Sequence, residues 1–189
     1  LSYEIFKNKN LSLLAAITFY FMPVVSVSSF LISTDVILIF FWILSLIIVL
    51  RIRGRNRLFD FLLLGIFLGL SFLAKYAAIY FLFSLLLLFL LDQKTRSVFL
   101  NNRLGVFIFF NSFLIVIFPN IFWNMQNDWI TIDHTSDNAG LQRIGFNVFQ
   151  GFEFLITQVL MIGPILVFGF LVSLRSFSFN FEDKFLLIF

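Results

Sequence analysis

Cysteine is absent from the chain and histidine occurs once. The first absence excludes disulfides, thiolate nucleophiles and cysteine metal sites, and it leaves the redox compartment unread. The second excludes the HExxH zinc motif and every other paired-histidine spacing. Charge is also scarce: Asp, Glu, Lys and Arg make up 12% of the 189 residues, against 61% hydrophobic residues and a mean hydropathy of +1.04. No water-soluble domain of this size has that balance, so a separate soluble domain is excluded and the chain reads as a membrane protein. The net charge of +3 and the pI near 9.5 come from short basic clusters between apolar runs. Such clusters report orientation in a bilayer and imply no nucleic-acid partner. The chain begins at Leu1 and ends within the apolar run Phe185–Phe189, so it is expected to be an internal fragment, and the lack of a leader says nothing.

What is abundant is apolar sequence in lengths that suit membrane crossing. A span needs about 20 residues at 1.5 Å rise each, and the candidates are 11–32, 36–50, 58–74, 77–91, 104–122 and 154–174. The expected fold is therefore an all-α polytopic transmembrane bundle of about six spans in a single domain. Leu58–Leu91 as one helix would be about 51 Å long, too long for a hydrocarbon core of about 30 Å. Two short spans hinged at Ala74-Lys75-Tyr76 resolve this, and charge agrees. With the hinge, Lys7, Lys9, Arg51, Arg53, Arg55, Arg57, Lys94, Arg96, Arg103, Arg175 and Lys184 face the cytoplasm and only Lys75 and Arg143 face outward, 11 against 2. Without it the split is 7 against 5, and Lys75 is stranded in lipid. On this topology Ser33-Thr34-Asp35, Lys75-Tyr76 and the loop 123–147 share the outer face, periplasmic in a bacterium. The basic inner loops are then explained by topology alone. Gly145–Glu153, with Phe146, Phe149 and Phe152 at helical spacing, is expected to lie in the interface as an amphipathic turn.

Candidate chemistry gathers on the outer face. Asp35 lies just before an apolar span, where a carboxylate either belongs to a site or caps the helix together with Ser33 and Thr34. Lys75 ends a glycine-bearing span on the side where cations are disfavoured. It either snorkels to the headgroups or presents a fixed charge to a lipid phosphate, as does Arg143. Asn124, Gln126 and Asp128 alternate between Trp123 and Trp129, a pattern that interfacial tryptophan belts alone do not explain. Asp128, Asp133, His134 and Asp137 as a divalent-metal group is the less favoured reading, a solvated acidic loop the more favoured one, and no metal or other cofactor is expected.

Three stretches together resemble a known family. They are Ser33-Thr34-Asp35 before a tryptophan-bearing span, Gly-x-x-x-Gly-Leu-x-x-Leu-x-Lys-Tyr over 65–76, and Phe-Pro-Asn-Ile-Phe-Trp-Asn-Met-Gln-Asn-Asp-Trp-Ile over 118–130. In this order, and over about Tyr3 to Leu174, the chain resembles bacterial membrane glycosyltransferases of the GT-C fold. The nearest groups are families 39 and 83, with protein O-mannosyltransferases and the lipid A aminoarabinose transferase as relatives. The resemblance implies an inverting enzyme of the cytoplasmic membrane, its active face periplasmic. Its donor is a polyprenyl-phosphate-linked sugar and its acceptor a lipid, glycan or protein, with membrane lipids as further partners. By matching position it assigns Lys75 to the donor phosphate and Asp35 to a catalytic-site carboxylate on the outer face. Tyr76, Asn124, Gln126, Asp128 and Trp129 line the substrate pocket. The family's acidic motif lies in a first outer loop upstream of what corresponds to Leu1, so the principal base is expected outside this stretch, which by itself is expected to be inactive. Two rival classes remain open. A secondary transporter or flippase would place its charges at the midplane, whereas these spans carry their polar groups at one end. A non-catalytic assembly subunit would leave the charges merely topological.

Overall fold

The structure is a computed structural model that describes residues 1–28, 30, 33–138, 148–173 and 181–189. Among them the regular structure is helical, with no strand. In chain order the helices are α1 (Ser2–Phe6), α2 (Lys9–Tyr20), α3 (Pro23–Ser28), α4 (Thr34–Arg55), α5 (Leu58–Ala74), α6 (Ile79–Leu91), α7 (Gln93–Asn101), α8 (Arg103–Gln126), α9 (Ile130–Asn138), α10 (Val148–Ile162), α11 (Pro164–Ser173) and α12 (Phe181–Ile188). A 3₁₀ turn, Tyr76–Ala78, joins α5 to α6.

The core is a three-helix layer in which α5 lies between α4 and α8. On α5 the buried residues Phe61, Leu64, Gly65, Leu68 and Gly69 recur three and four apart, the stripe of a helix with a packed face. Gly65 and Gly69 let α8 come close, as small residues do between membrane helices. A Cβ at Gly65 would stand 1.9 Å from Ser112 Oγ and 2.5 Å from the Phe109 carbonyl, and one at Gly69 2.8 Å from Val116. Ile48, Val49 and Ile52 of α4, Phe81, Leu85 and Leu88 of α6, Phe109 of α8 and Phe185 of α12 complete the core. The other faces of the long helices carry exposed Phe, Leu and Ile, among them Phe107, Ile115 and Phe118 of α8. That surface suits lipid and would be costly in water.

Two helices, α4 with 22 residues and α8 with 24, are long and apolar enough to cross a membrane, and up to four segments qualify if each bent pair is one span. Asp35 in the first turn of α4 and Arg53 and Arg55 in its last complement the helix dipole. The run 58–91 is broken at Lys75, whose extended backbone (φ −161°, ψ 133°) separates α5 from the 3₁₀ turn. Elsewhere the apolar runs and the helices differ. The run 11–32 is interrupted at Phe21-Met22, where Pro23 opens α3, a position that suits its fixed φ and missing N–H. The run 154–174 turns through 94° at Gly163, whose φ of +101° only glycine adopts freely, with Pro164 opening α11. The segment read as a loop from Trp123 is helical to Gln126 and again over Ile130–Asn138. There Asn124 and Asn127 donate their side-chain amides to the carbonyls of Asn120 and Trp123, four residues back, which fixes these polar side chains along the helix. Of the amphipathic turn expected over 145–153, residues 145–147 lie outside the described residues and the rest opens α10.

At one end of the bundle α4, α6 and α7 are tied together. Asp92 accepts from Arg53 Nε (3.2 Å), from the Thr95 amide (2.8 Å) and from Thr95 Oγ1 (2.7 Å), so it caps α7 while it pairs with α4. The Arg53 guanidinium also lies 3.5 Å above the Phe181 ring. Nearby, Asn102 bridges the end of α4 and the start of α8 by donating to Asn56 Oδ1 and accepting from the Gly105 amide.

Candidate functional site at the Lys75 end of the bundle

The other end is built by the start of α4, the end of α5 and the end of α8. Lys75 can point away from α5 because the helix stops at Ala74, and Asp35 sits in the first turn of α4, forty residues away in sequence. The two meet: Lys75 Nζ donates to Asp35 Oδ1 at 2.5 Å, with the side chains 46% and 48% exposed. Asp35 is therefore not the cap of α4. Ser33 holds that position, without a side-chain capping bond and with its hydroxyl buried and unpartnered.

One residue further on, Tyr76 reaches α8. Its hydroxyl donates to Asn120 Oδ1 (3.1 Å) and lies 2.9 Å from Thr131 Oγ1 on α9. Thr131 Oγ1 also donates to Asn124 Oδ1, and the Asn124 amide donates to Asn120. Asn124 is 1% exposed while Tyr76, Asn120 and Thr131 are half-buried, so this four-residue network is a polar hub, buried at Asn124, in which each member has a partner. It joins the hinge after α5 to the turn between α8 and α9. In that turn Asp128 (φ 52°) and Trp129 (φ 58°) are both left-handed, and the Trp129 amide donates back to the Asn124 carbonyl. A bulky residue in that region costs on the order of 1–3 kcal/mol and persists only where its surroundings impose it.

The structure thus brings Asp35 to Lys75 and Tyr76 to Asn124, in neighbouring pairs. Gln126, Asp128 and Trp129 are exposed on the last residue of α8 and the turn after it, and Arg143 lies outside the described residues. Two members of the network, Asn120 and Thr131, were not singled out from sequence. Asn120 was findable, since it stands four residues before Asn124 on a helix and shares its face. Thr131 was not, because its place depends on the left-handed turn. Asp133, His134 and Asp137 share the short helix α9, and among the described residues no three His, Asp or Glu are gathered as metal ligands would be.

This geometry offers a cation whose counter-ion is half exposed, beside a rigid polar hub. A solvent-facing ion pair contributes little to stability, so its partner can be exchanged for another anion at small cost. An ammonium that exchanges a carboxylate for a phosphate oxyanion is suited to hold a phosphate leaving group and to stabilise the negative charge it gains.

Comparison with known proteins gives the site a context. The family model described as dolichyl-phosphate-mannose-protein mannosyltransferase matches residues 1–123, which include Asp35, Lys75, Tyr76 and Asn120. The lipid A galacturonosyltransferase RgtD of Rhizobium johnstonii is 33% identical over 154 residues, an alignment covering 82% of this chain and 32% of that protein. The chain accordingly spans about a third of the length of that curated relative. No solved structure matches it.

Proposed function

The chain belongs to the dolichyl-phosphate-mannose-protein mannosyltransferase family, integral membrane proteins of the GT-C glycosyltransferase type, and from that premise we propose the reaction it serves. It is part of an enzyme that moves a sugar from a polyprenyl-phosphate donor to an acceptor hydroxyl at the extracytoplasmic face of a bacterial cytoplasmic membrane. Of the acceptor classes, lipid, glycan or protein, likeness to a lipid A galacturonosyltransferase favours a lipid. The observation that carries the reading is the Lys75–Asp35 pair, a cation offered to solvent at the end of an apolar bundle. It sits beside the tyrosine and asparagine hub and opposite the end that holds Arg51, Arg53, Arg55 and Arg57.

In this reaction the acceptor oxygen attacks the anomeric carbon and the bond from that carbon to the phosphate oxygen breaks, with inversion. Its electron pair leaves with the lipid phosphate, and the acceptor proton passes to a carboxylate. Lys75 binds the phosphate and stabilises the charge it gains. Asp35 holds the ammonium in place until the donor arrives. The principal base comes from a part of the enzyme outside these residues, Arg143 is a second cation for the phosphate, and no metal or cofactor takes part. Asn124 and Tyr76 hold the wall of the pocket through Asn120 and Thr131, and Gln126, Asp128 and Trp129 face the substrates.

The test is Lys75→Ala in the full-length protein, assayed with a polyprenyl-phosphate sugar. Transfer is expected to fall by about 10²–10³-fold, the loss seen when one preorganised donor to a developing oxyanion is removed, while membrane insertion is retained and Lys75→Arg recovers much of the rate. Unchanged turnover in Lys75→Ala removes Lys75 from the site and with it the reading.

A further inference from the structure

At the end of the bundle opposite Lys75, the 103° bend between α6 and α7 opens a groove of about 770 Å³ walled by α6, α7 and α8. Its size is that of a ligand site. Leu82, Leu86 and Phe89 of α6, Leu100 of α7 and Phe110 of α8 form its apolar walls, and among the described residues Arg103, at the start of α8, is the one charged residue lining it. We propose that this groove binds one anionic phospholipid, with an acyl chain along the apolar walls and the phosphate at Arg103.

Three observations carry the assignment. The walls are continuous with the lipid-facing surface of α8, where Leu104, Phe107 and Phe110 are exposed, so a chain can enter sideways from the bilayer. Arg103 is exposed and has no ion-pair partner among the described residues, whereas the acid nearest in sequence, Asp92, is already paired with Arg53. Lys94 and Arg96, exposed on the first turn of α7, whose last residues wall the groove, give this end of the bundle a positive field. An apolar trench with an uncompensated guanidinium at its rim matches a molecule that is a hydrocarbon chain at one end and a phosphate at the other. A wholly apolar occupant would leave the cation unpaired, and a soluble anion would leave the walls wet. The acyl chain lies beside the α6 and α8 faces that pack on the core through Leu85 and Phe109.

The inference stands apart from the transfer reaction, and its test uses the opposite end of the molecule. Full-length protein is loaded with phosphatidylglycerol or with phosphatidylethanolamine, and bound lipid is counted by native mass spectrometry. One phosphatidylglycerol is expected to be retained in preference to phosphatidylethanolamine. Arg103→Gln is expected to lower that retention about fivefold, the share of one basic residue near an anionic headgroup, and Leu86→Trp, which fills the groove, to abolish it. Equal retention of the two lipids, or no effect of Arg103→Gln, overturns the anionic site. Retention that survives Leu86→Trp places the lipid elsewhere and overturns the groove. Since neither variant lies near Lys75, a failure here leaves the transferase reading standing, and failure of Lys75→Ala leaves this one standing.

Discussion

The two ends of the bundle each tie α4 to a later helix with an ion pair, and they do so in opposite styles. At the Arg53 end the pair is nearly closed, with side chains 21% and 11% exposed. Asp92 there takes two further hydrogen bonds from Thr95, and Arg53 stacks on Phe181. At the Lys75 end the pair is half open, and Asp35 and Lys75 have each other as partner. A charge pair satisfied on every side holds helices in place, since breaking it leaves a buried ion without compensation. A pair left open to solvent contributes at most about 1 kcal/mol, so it is poorly suited to holding the helices together. The contrast separates a closed, architectural end from an open one, which is the end proposed above to hold the donor phosphate.

The largest effect is expected at the closed end. Asp92→Ala removes the partner of a mostly buried arginine and the cap of α7, and should cost about 3–5 kcal/mol in unfolding free energy, read as a fall in Tm or in detergent-denaturation midpoint. Acid should reach the same interaction. Burial works against the Asp92 charge, but hydrogen bonds from Thr95 and Arg53 outweigh it and hold the carboxyl below its ordinary value of 3.8. A lowered folded-state value means that the stability is fully present above that ordinary value and is lost as pH falls through the lowered one. Asp92→Asn should flatten the stability profile in that acid window and leave it unchanged near neutrality in shape. At the open end the effect on stability is small and the effect on transfer large. Lys75→Ala should alter Tm by less than the equivalent of about 1 kcal/mol while transfer falls by the two to three orders of magnitude given above. A Lys75→Ala protein that unfolds as Asp92→Ala does would make both ends architectural.

The all-helical membrane architecture was legible in the residues, because hydrophobic run length is a local quantity that needs no tertiary knowledge. The break at Lys75 is of that kind: a lone cation in a 34-residue apolar stretch marks where the helix has to stop. Likewise Asp35, Lys75 and Tyr76 were visible as polar residues at apolar borders. What sequence could not supply was pairing. Nothing local says that Asp35 meets Lys75 and not the backbone of its own helix, or that Asn124 is buried and Asp128 exposed. The latter follows from the two left-handed residues after α8, which swing Thr131 back onto Asn124. The expected span 104–122 already ran through Pro119, and what was missed is the last turn of α8 from Trp123 to Gln126, for a related reason. A proline breaks the ladder locally, but packing of Gly105, Phe109, Ser112 and Ile117 holds the helix before it, and beyond it the buried Asn124 donates back to the Asn120 carbonyl.

Between the two ends lies the contact that keeps them apart, and it offers the next effect in size. Gly65→Ala would drive a methyl group into Ser112 and the backbone of α8, so α5 and α8 must separate or slide; the expected cost is about 1–3 kcal/mol, as for overpacked cores. Gly54→Ala is the control, since its Cβ would meet nothing within 4 Å and a helix-favouring residue there should stabilise by up to about 1 kcal/mol. Equal Tm shifts in the two variants would mean that α5 and α8 are not in close register. In Gly65→Ala the distance from Tyr76 to Asn120 changes with the helix, so transfer should fall with stability, unlike in Asp92→Asn.

The smallest effect, and the one that sharpens the comparison most, belongs to Asp35. If its carboxylate only holds Lys75 until the donor phosphate arrives, Asp35→Asn removes a weak exposed pair and keeps the shape of the side chain. The energy at stake is then at most about 1 kcal/mol, so kcat/KM for the polyprenyl-phosphate donor should fall by no more than about fivefold, and the loss should appear mainly in KM. The pH dependence of kcat should be unaltered, because no proton is transferred to Asp35. A carboxylate that itself removed the acceptor proton would behave otherwise. Its loss would reduce kcat by about 10²–10⁴-fold, and the acidic limb of the rate profile would disappear with it. Measured beside Lys75→Ala, the Asp35 variant therefore decides whether the open pair is a cation with its placeholder or a cation and a base, two arrangements that the same 2.5 Å contact accommodates.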